Sequence, residues 1–160
     1  MSDLKDMMAR FAKPGRVEGI FLRATRRITP DTVETALMTE AGLDGDHSRP
    51  GKRAVTLIQA EHIPVIAALS QSSEIMAQDL RRNIVVSGLN LTAFRGQRLQ
   101  IGTGIIELTV PCHPCSRLEE LLGHGGYTAM RGHGGFCASV VQGGDIVVGA
   151  TVVPLSTSPP

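Results

Sequence analysis

Glycine cuts this chain into short β-prone runs, and that pattern restricts its fold more than any other feature. "RLQIGTGIIELTV", residues 98–110, is two alternating runs joined through Gly102-Thr103-Gly104, the signature of a hairpin. "FCASVVQGGDIVVGATVVPL" offers two or three further strands separated by Gly143-Gly144-Asp145. Upstream, "VEGIFLR" reads as a strand and "ETALMTE" alternates. "RAVTLI" places Val55 and Leu57 on one face, Thr56 and Ile58 on the other. Eighteen glycines supply many tight turns, which favours β architecture over a helical bundle. With four Phe, one Tyr and no Trp, the core has to rest on Val, Ile, Leu, Ala and Met. Helix is expected over "AEHIPVIAALS", with Pro64 in or near the first turn, and in short pieces at "AQDLRRN" and "RLEELLG". The expected fold is mainly β: a closed or nearly closed barrel with a few short helices.

The 160 residues suffice for one domain that buries roughly 70% of its unfolded surface. Residues 1–14 form an N-terminal segment in which Leu4, Met7, Met8 and Phe11 share one face of a short helix ended by Pro14-Gly15. Residues 15–155 form the barrel, and "STSPP", 156–160, is expected to be a disordered tail. The net charge of +1 gives no general attraction to nucleic acid or to an anionic membrane. No apolar run reaches transmembrane length, and "MSDLKDMMARF" is charged too early for a targeting segment. Three cysteines, an odd number, point to a reducing compartment, so a cytoplasmic protein is expected.

The chemistry concentrates in "TVPCHPCSRLEE", where Cys112 and Cys115 bracket His113-Pro114. Such a pair fits a redox dithiol, half of a zinc site, or the seat of one special thiolate. The dithiol reading has a strand before and a helix after, but lacks β-α-β units around it. The zinc reading has His113, His124, His133 and Cys137 to draw on, none at paired ligand spacing. For a single thiolate, Cys115 opens the "SRLEELL" segment, where backbone donors and Arg117 lower a thiol's pKa. Cys112, at a strand end, has no helix start, and Cys137 in "FCASVV" reads as a buried, inert hydrophobe. A second feature is cationic. Arg53, Arg81, Arg82, Arg117 and Arg131 lie at element ends or beside glycines, where guanidinium forks suit phosphate. Asp46-His47 forms a candidate acid/base or hydrogen-bonding pair.

Six segments occur in order: "GLDGDHS", "RAVTLIQAEH", "RRNIVVSGLNL", "LTVPCHPCSRLEE", "AMRGHGG" and "GGDIVVG". Together they resemble the MOSC domain, named for the C-terminal part of molybdenum cofactor sulfurase, over about Val17 to Leu155. The likeness is to the small stand-alone bacterial members. It implies a β-barrel and makes Cys115, followed by Leu118, the family's reactive cysteine. In cofactor-bearing members this residue ligates molybdenum; in the pyridoxal phosphate-linked sulfurase branch it carries sulfur as a persulfide. Arg53, Arg82, Asn83 and Arg131 occupy motif positions that would meet the molybdenum cofactor, with Arg117, His133, Asp46 and His47 completing the expected set. The implied activity is reduction of N-hydroxylated or related small substrates. The alternative is a sulfur-carrier or cofactor-handling protein in maturation of the cofactor or of metal–sulfur clusters. The sequence holds no flavin, haem or iron–sulfur motif, so an electron-donor reductase, or for the alternative a cysteine desulfurase, is the expected partner. A small-molecule substrate is expected, and neither nucleic acid nor membrane. Cys112 is not general in the family and fits a resolving or sulfur-relay role.

Overall fold

A computed structural model describes residues 3–26 and 28–155. The strands are β1 (Gly15–Leu22), β2 (Asp31–Val33), β3 (Thr35–Thr39), β4 (Gly42–Leu43), β5 (Val55–Gln59), β6 (Ile84–Ser87), β7 (Arg98–Ile101), β8 (Gly104–Pro111), β9 (Phe136–Gln142), β10 (Gly144–Val147) and β11 (Thr151–Leu155). The helices are α1 (Leu4–Met8), α2 (His62–Leu69), α3 (Ser116–Leu122) and α4 (Gly126–Met130), with 3-10 turns at Ala77–Leu80 and Leu91–Phe94. The "STSPP" segment lies outside the described residues.

Seven strands close a barrel in the order β11-β7-β8-β9-β5-β6-β1. The seam is β1 against β11, Gly15 opposite Val152 and Arg16 opposite Thr151. β2 adds to the outer part of β1. The expected hairpin is β7–β8, Ile101 opposite Gly104. One barrel pair is parallel, β5 with β6 (Leu57 opposite Ile84), and a parallel pair needs a long crossover. That crossover carries α2 and the first 3-10 turn.

The crossover explains why β5 is buried on both faces. Val55 and Leu57 point into the barrel core with Val17, Ile20, Leu99, Ile106 and Leu108. Ile58 points outward into a second apolar layer with Ile66, Leu80, Leu118, Leu122 and Met130, contributed by the helices. Burying each such side chain stabilises the fold by about 1.5–3 kcal/mol. The run 136–155 gives three strands, but the middle one leaves the barrel. β10 pairs with β3, and β3 with β4, in a separate three-stranded sheet. Its alternating inner residues Ala36, Met38 and Ile146 join the barrel core, while Leu37 faces out. α1 is shorter than expected, and Leu4, Met7, Met8 and Phe11 are all exposed. Among the described residues, no helix is long and apolar enough to cross a membrane.

Candidate functional site

Four stretches converge at one end of the barrel: the exit of β1, the loop between β4 and β5, the loop between β8 and α3, and the start of β9. They enclose a cleft of about 930 Å³ lined by Arg23, Arg26, Arg49, Lys52 and Arg53, with His47, His113, Thr56 and all three cysteines. Among the described residues, no carboxylate lines it. A second opening of about 710 Å³ shares Arg23, Arg26, His47 and Cys115, and adds Arg81, Ser116, Arg117 and Glu120. Cys115 therefore stands on the ridge between the two.

A buried polar network holds this wall in place. The Asp46 carboxylate accepts from Arg23 Nη2 at 2.9 Å, Nε at 3.2 Å and the Arg23 backbone N–H at 2.6 Å. Its side chain is 0% exposed. Burial pushes its carboxyl up, but the hydrogen bonds and charge of Arg23, helped by Asn83, outweigh it and hold the group below its ordinary value. Asn83 is fully buried: its Oδ1 accepts from Thr56 N, Thr56 Oγ1 and Arg23 Nη2, and its Nδ2 donates to the Phe21 carbonyl. The His47 Nδ1–H donates to the Arg23 carbonyl at 2.6 Å, which leaves Nε2 for the openings. Asp46 and His47, adjacent in sequence, thus serve different sides of one wall.

Arg82 is also an internal part. It is 5% exposed, and its Nε donates to the Gly134 carbonyl, Nη1 to Leu80, and Nη2 to Cys112 and His113. Four of its five N–H groups are therefore spent on main chain, and it clamps the cysteine loop to the turn before β9. That turn comes close: the Cys112 N–H donates to the Gly135 carbonyl at 2.8 Å. Gly135, at φ +86°, packs where a Cβ would overlap the Leu57 carbonyl, so the glycines of "HGG" serve the approach of strands.

The three thiols are free and differ in setting. Cys115 is exposed and precedes α3, its carbonyl accepting from the Leu118 and Glu119 N–H groups. Cys112 is half-buried, and the Cys137 S–H hydrogen-bonds to it. That bond, with Arg82, Arg23 and Arg53 close by, outweighs burial and holds the Cys112 thiol well below its ordinary value. Cys137 is pushed up, by donating to Cys112 and by burial. The sequence read Cys137 as a buried, inert hydrophobe; the structure buries it but sets it beside Cys112.

Of the expected site residues, Cys115, Arg53, Arg117 and His47 line the openings. Asp46, Asn83 and Arg82 lie behind them, supporting Arg23 and the cysteine loop. Arg131 is exposed beyond α4, and the His133 ring packs edge-on against His62 at 5.2 Å with its Nδ1 buried and unpartnered. Neither lines the two openings. Sequence reasoning missed Arg23, Arg26, Arg49 and Lys52. Their signal was two basic runs in loops, "RATRR" after β1 and "RPGKR" before β5. Among the described residues, no group of three His, Cys, Asp or Glu is placed to hold a metal ion.

A family profile for the MOSC domain matches residues 44–153. No curated protein is significantly similar in sequence. Solved structures share the fold. The YUAD protein from Bacillus subtilis superposes with a TM-score of 0.76 at 17% identity, covering 88% of this chain and 94% of its own. YiiM from Escherichia coli gives 0.71 at 22%, covering 91% and 72%. YiiM from Geobacillus stearothermophilus gives 0.73 at 20%, covering 89% and 76%.

Proposed function

Since the chain belongs to the MOSC domain family, which is associated with the molybdenum cofactor, we propose that its basic cleft binds that cofactor. Cys115 is the residue proposed to ligate the metal. Two features fit such a group. Five cationic side chains without a carboxylate suit a phosphate-bearing ligand. The Cys115 thiol is exposed on the ridge and makes no capping bond, so its sulfur is open to a soft metal.

When bound, the cofactor supplies two-electron transfer to a small molecule. The chain's own residues do the rest. Arg26, Arg49, Lys52 and Arg53 hold anionic groups, and Asp46 fixes the Arg23 guanidinium at the cleft wall. His47, anchored through Nδ1, can hold or release a proton at Nε2 beside Cys115. The reading is a reductase of N-hydroxylated or related small substrates, with electrons supplied by a partner reductase. The exposure of Cys115 also favours a second reading: a sulfur carrier that holds a persulfide there for transfer from a cysteine desulfurase.

The observation that carries the proposal is the carboxylate-free basic cleft with Cys115 on its rim. The test is metal and pterin analysis of protein expressed in a host able to make the cofactor. Wild-type protein should hold stoichiometric molybdenum and pterin, and Cys115→Ser should lose the metal. Arg53→Ala should weaken retention about ten- to hundred-fold, the effect of losing one charge-assisted bond. Metal-free protein with one labile sulfur on Cys115 would replace the reductase by the carrier. Stoichiometric zinc would overturn both.

A further inference from the structure

Cys112 and Cys137 sit on neighbouring strands. The Cys112 N–H pairs with the Gly135 carbonyl, so residue 137 lies two positions along β9, on the same face as the residue opposite Cys112. The ladder shifts register between Leu108 and Pro111, which frees the end of β8 from regular spacing. The diagonal puts both thiols on the lining of one cleft, and Cys137 is near enough to help hold the Cys112 thiol below its ordinary value. Cys112 also borders the open cleft, while Cys137 is 4% exposed at its floor.

We propose that Cys112 and Cys137 form a thiol–disulfide exchange site that accepts an acidic low-molecular-weight disulfide through the basic cleft. The access is asymmetric. A disulfide entering the cleft meets Cys112 first, passing Arg23, Arg26, Arg49, Lys52 and Arg53 on the way. Those cations attract a ligand carrying carboxylates and repel one carrying ammonium groups. In the first step the Cys112 sulfur, as thiolate, attacks one sulfur of the incoming disulfide. The S–S bond of the ligand breaks, a mixed disulfide forms on Cys112, and one small thiolate leaves. In the second step the Cys137 proton passes to that thiolate, and the Cys137 sulfur attacks Cys112. The mixed disulfide breaks and the second small thiolate departs. The protein loses two electrons, and the small disulfide is reduced to one thiol and one thiolate, which takes its proton from water. The site needs no cofactor and does not involve Cys115, so it stands or falls separately from molybdenum binding.

The experiment uses the reduced full chain, treated at pH 7 with glutathione disulfide or with the dicationic disulfide cystamine. Free thiols are followed by intact mass and linked peptides are mapped after trypsin. The expected result is a fall from three free thiols to one, with the tryptic peptide 99–117 joined to the peptide that begins at Gly132. Fragmentation should place the link at Cys112. Glutathione disulfide should react roughly tenfold faster than cystamine at low salt, and the gap should close at high salt. Cys137→Ser should stop the reaction at a glutathione adduct on Cys112. A Cys112–Cys115 disulfide, or an adduct on Cys115 with Cys112 and Cys137 still titratable, would overturn the proposal. Equal rates for the two disulfides would overturn its ligand class.

Discussion

Arg81 and Arg82 are consecutive, yet they hold opposite walls of the site. Arg81 adopts a left-handed backbone, φ 61°, and among the described residues it is the single non-glycine residue to do so. Its guanidinium reaches outward to the carbonyls of Ile28 at 2.8 Å, Arg26 at 3.0 Å and Thr25 at 3.4 Å. Arg82 turns inward and ties Leu80, Gly134, Cys112 and His113 together from a buried position. One arginine therefore fastens the loop after β1, and the other fastens the cysteine loop. The left-handed residue is what lets two adjacent arginines diverge. A basic pair in sequence is here a pair of clamps on the main chain, and the cations that line the cleft come from other loops.

The largest effect should come from Arg82→Ala. Four carbonyls would lose their donor, and a charged side chain would leave a void behind the cysteine loop. A loss of about 3 kcal/mol in denaturant unfolding is expected. Arg82→Lys should recover only part of it, since an ammonium cannot reproduce the fork. A loss no greater than that of Arg81→Ala would erase the contrast between the two arginines.

Asp46→Asn comes next, at about 2 kcal/mol near pH 7, because the buried carboxylate anchors Arg23. The sign of its pH dependence is fixed. The folded value of Asp46 lies below its ordinary 3.8, so the stabilisation is complete above that value and drains away as pH falls through the lower folded one. Stability curves of wild type and Asp46→Asn should run parallel from pH 7 to 5 and converge below pH 3.8. Curves that stay parallel into acid would move the role of Asp46 from charge to shape.

The smallest effect sharpens the comparison most. Arg81→Ala loses the outward clamp and keeps the left-handed strain, whereas Arg81→Gly loses the clamp and relieves it. Arg81→Gly should be the more stable of the two by about 1 kcal/mol. Equal stabilities would mean that the left-handed geometry costs nothing here.

The barrel was legible because its strands are short, alternating and bounded by glycine, as in Arg98–Ile101 with Gly104–Pro111. The separate sheet of β10, β3 and β4 was not, since alternation tells which residues face inward but not which strand a strand joins. α4 was missed because "GHGGYTAMRG" is dominated by glycines that suggest loop. Within the site, Cys115, His47, Arg53 and Arg117 were legible from motif and position. The inward turns of Arg82 and Asn83 were not, because direction depends on one backbone angle at Arg81. The partnership of Cys112 with Cys137 joins residues on different strands, and only the register of β8 with β9 brings them together.

The seam between β1 and β11 has a consequence for the order of events during synthesis. It joins residues 15 and 16 to residues 152 and 151, a contact that spans most of the chain. Closing so long a loop costs entropy before any pairing repays it. Until Leu155 leaves the ribosome, β1 and β7 lack the strand between them, and the sheet stays open along β7 and at the Gly15–Arg16 end of β1. Its thiols are by then already outside the ribosome, carried on a wall that has no opposite side. The last of the described strands to be made is the one that turns a sheet bearing three free thiols into a closed vessel.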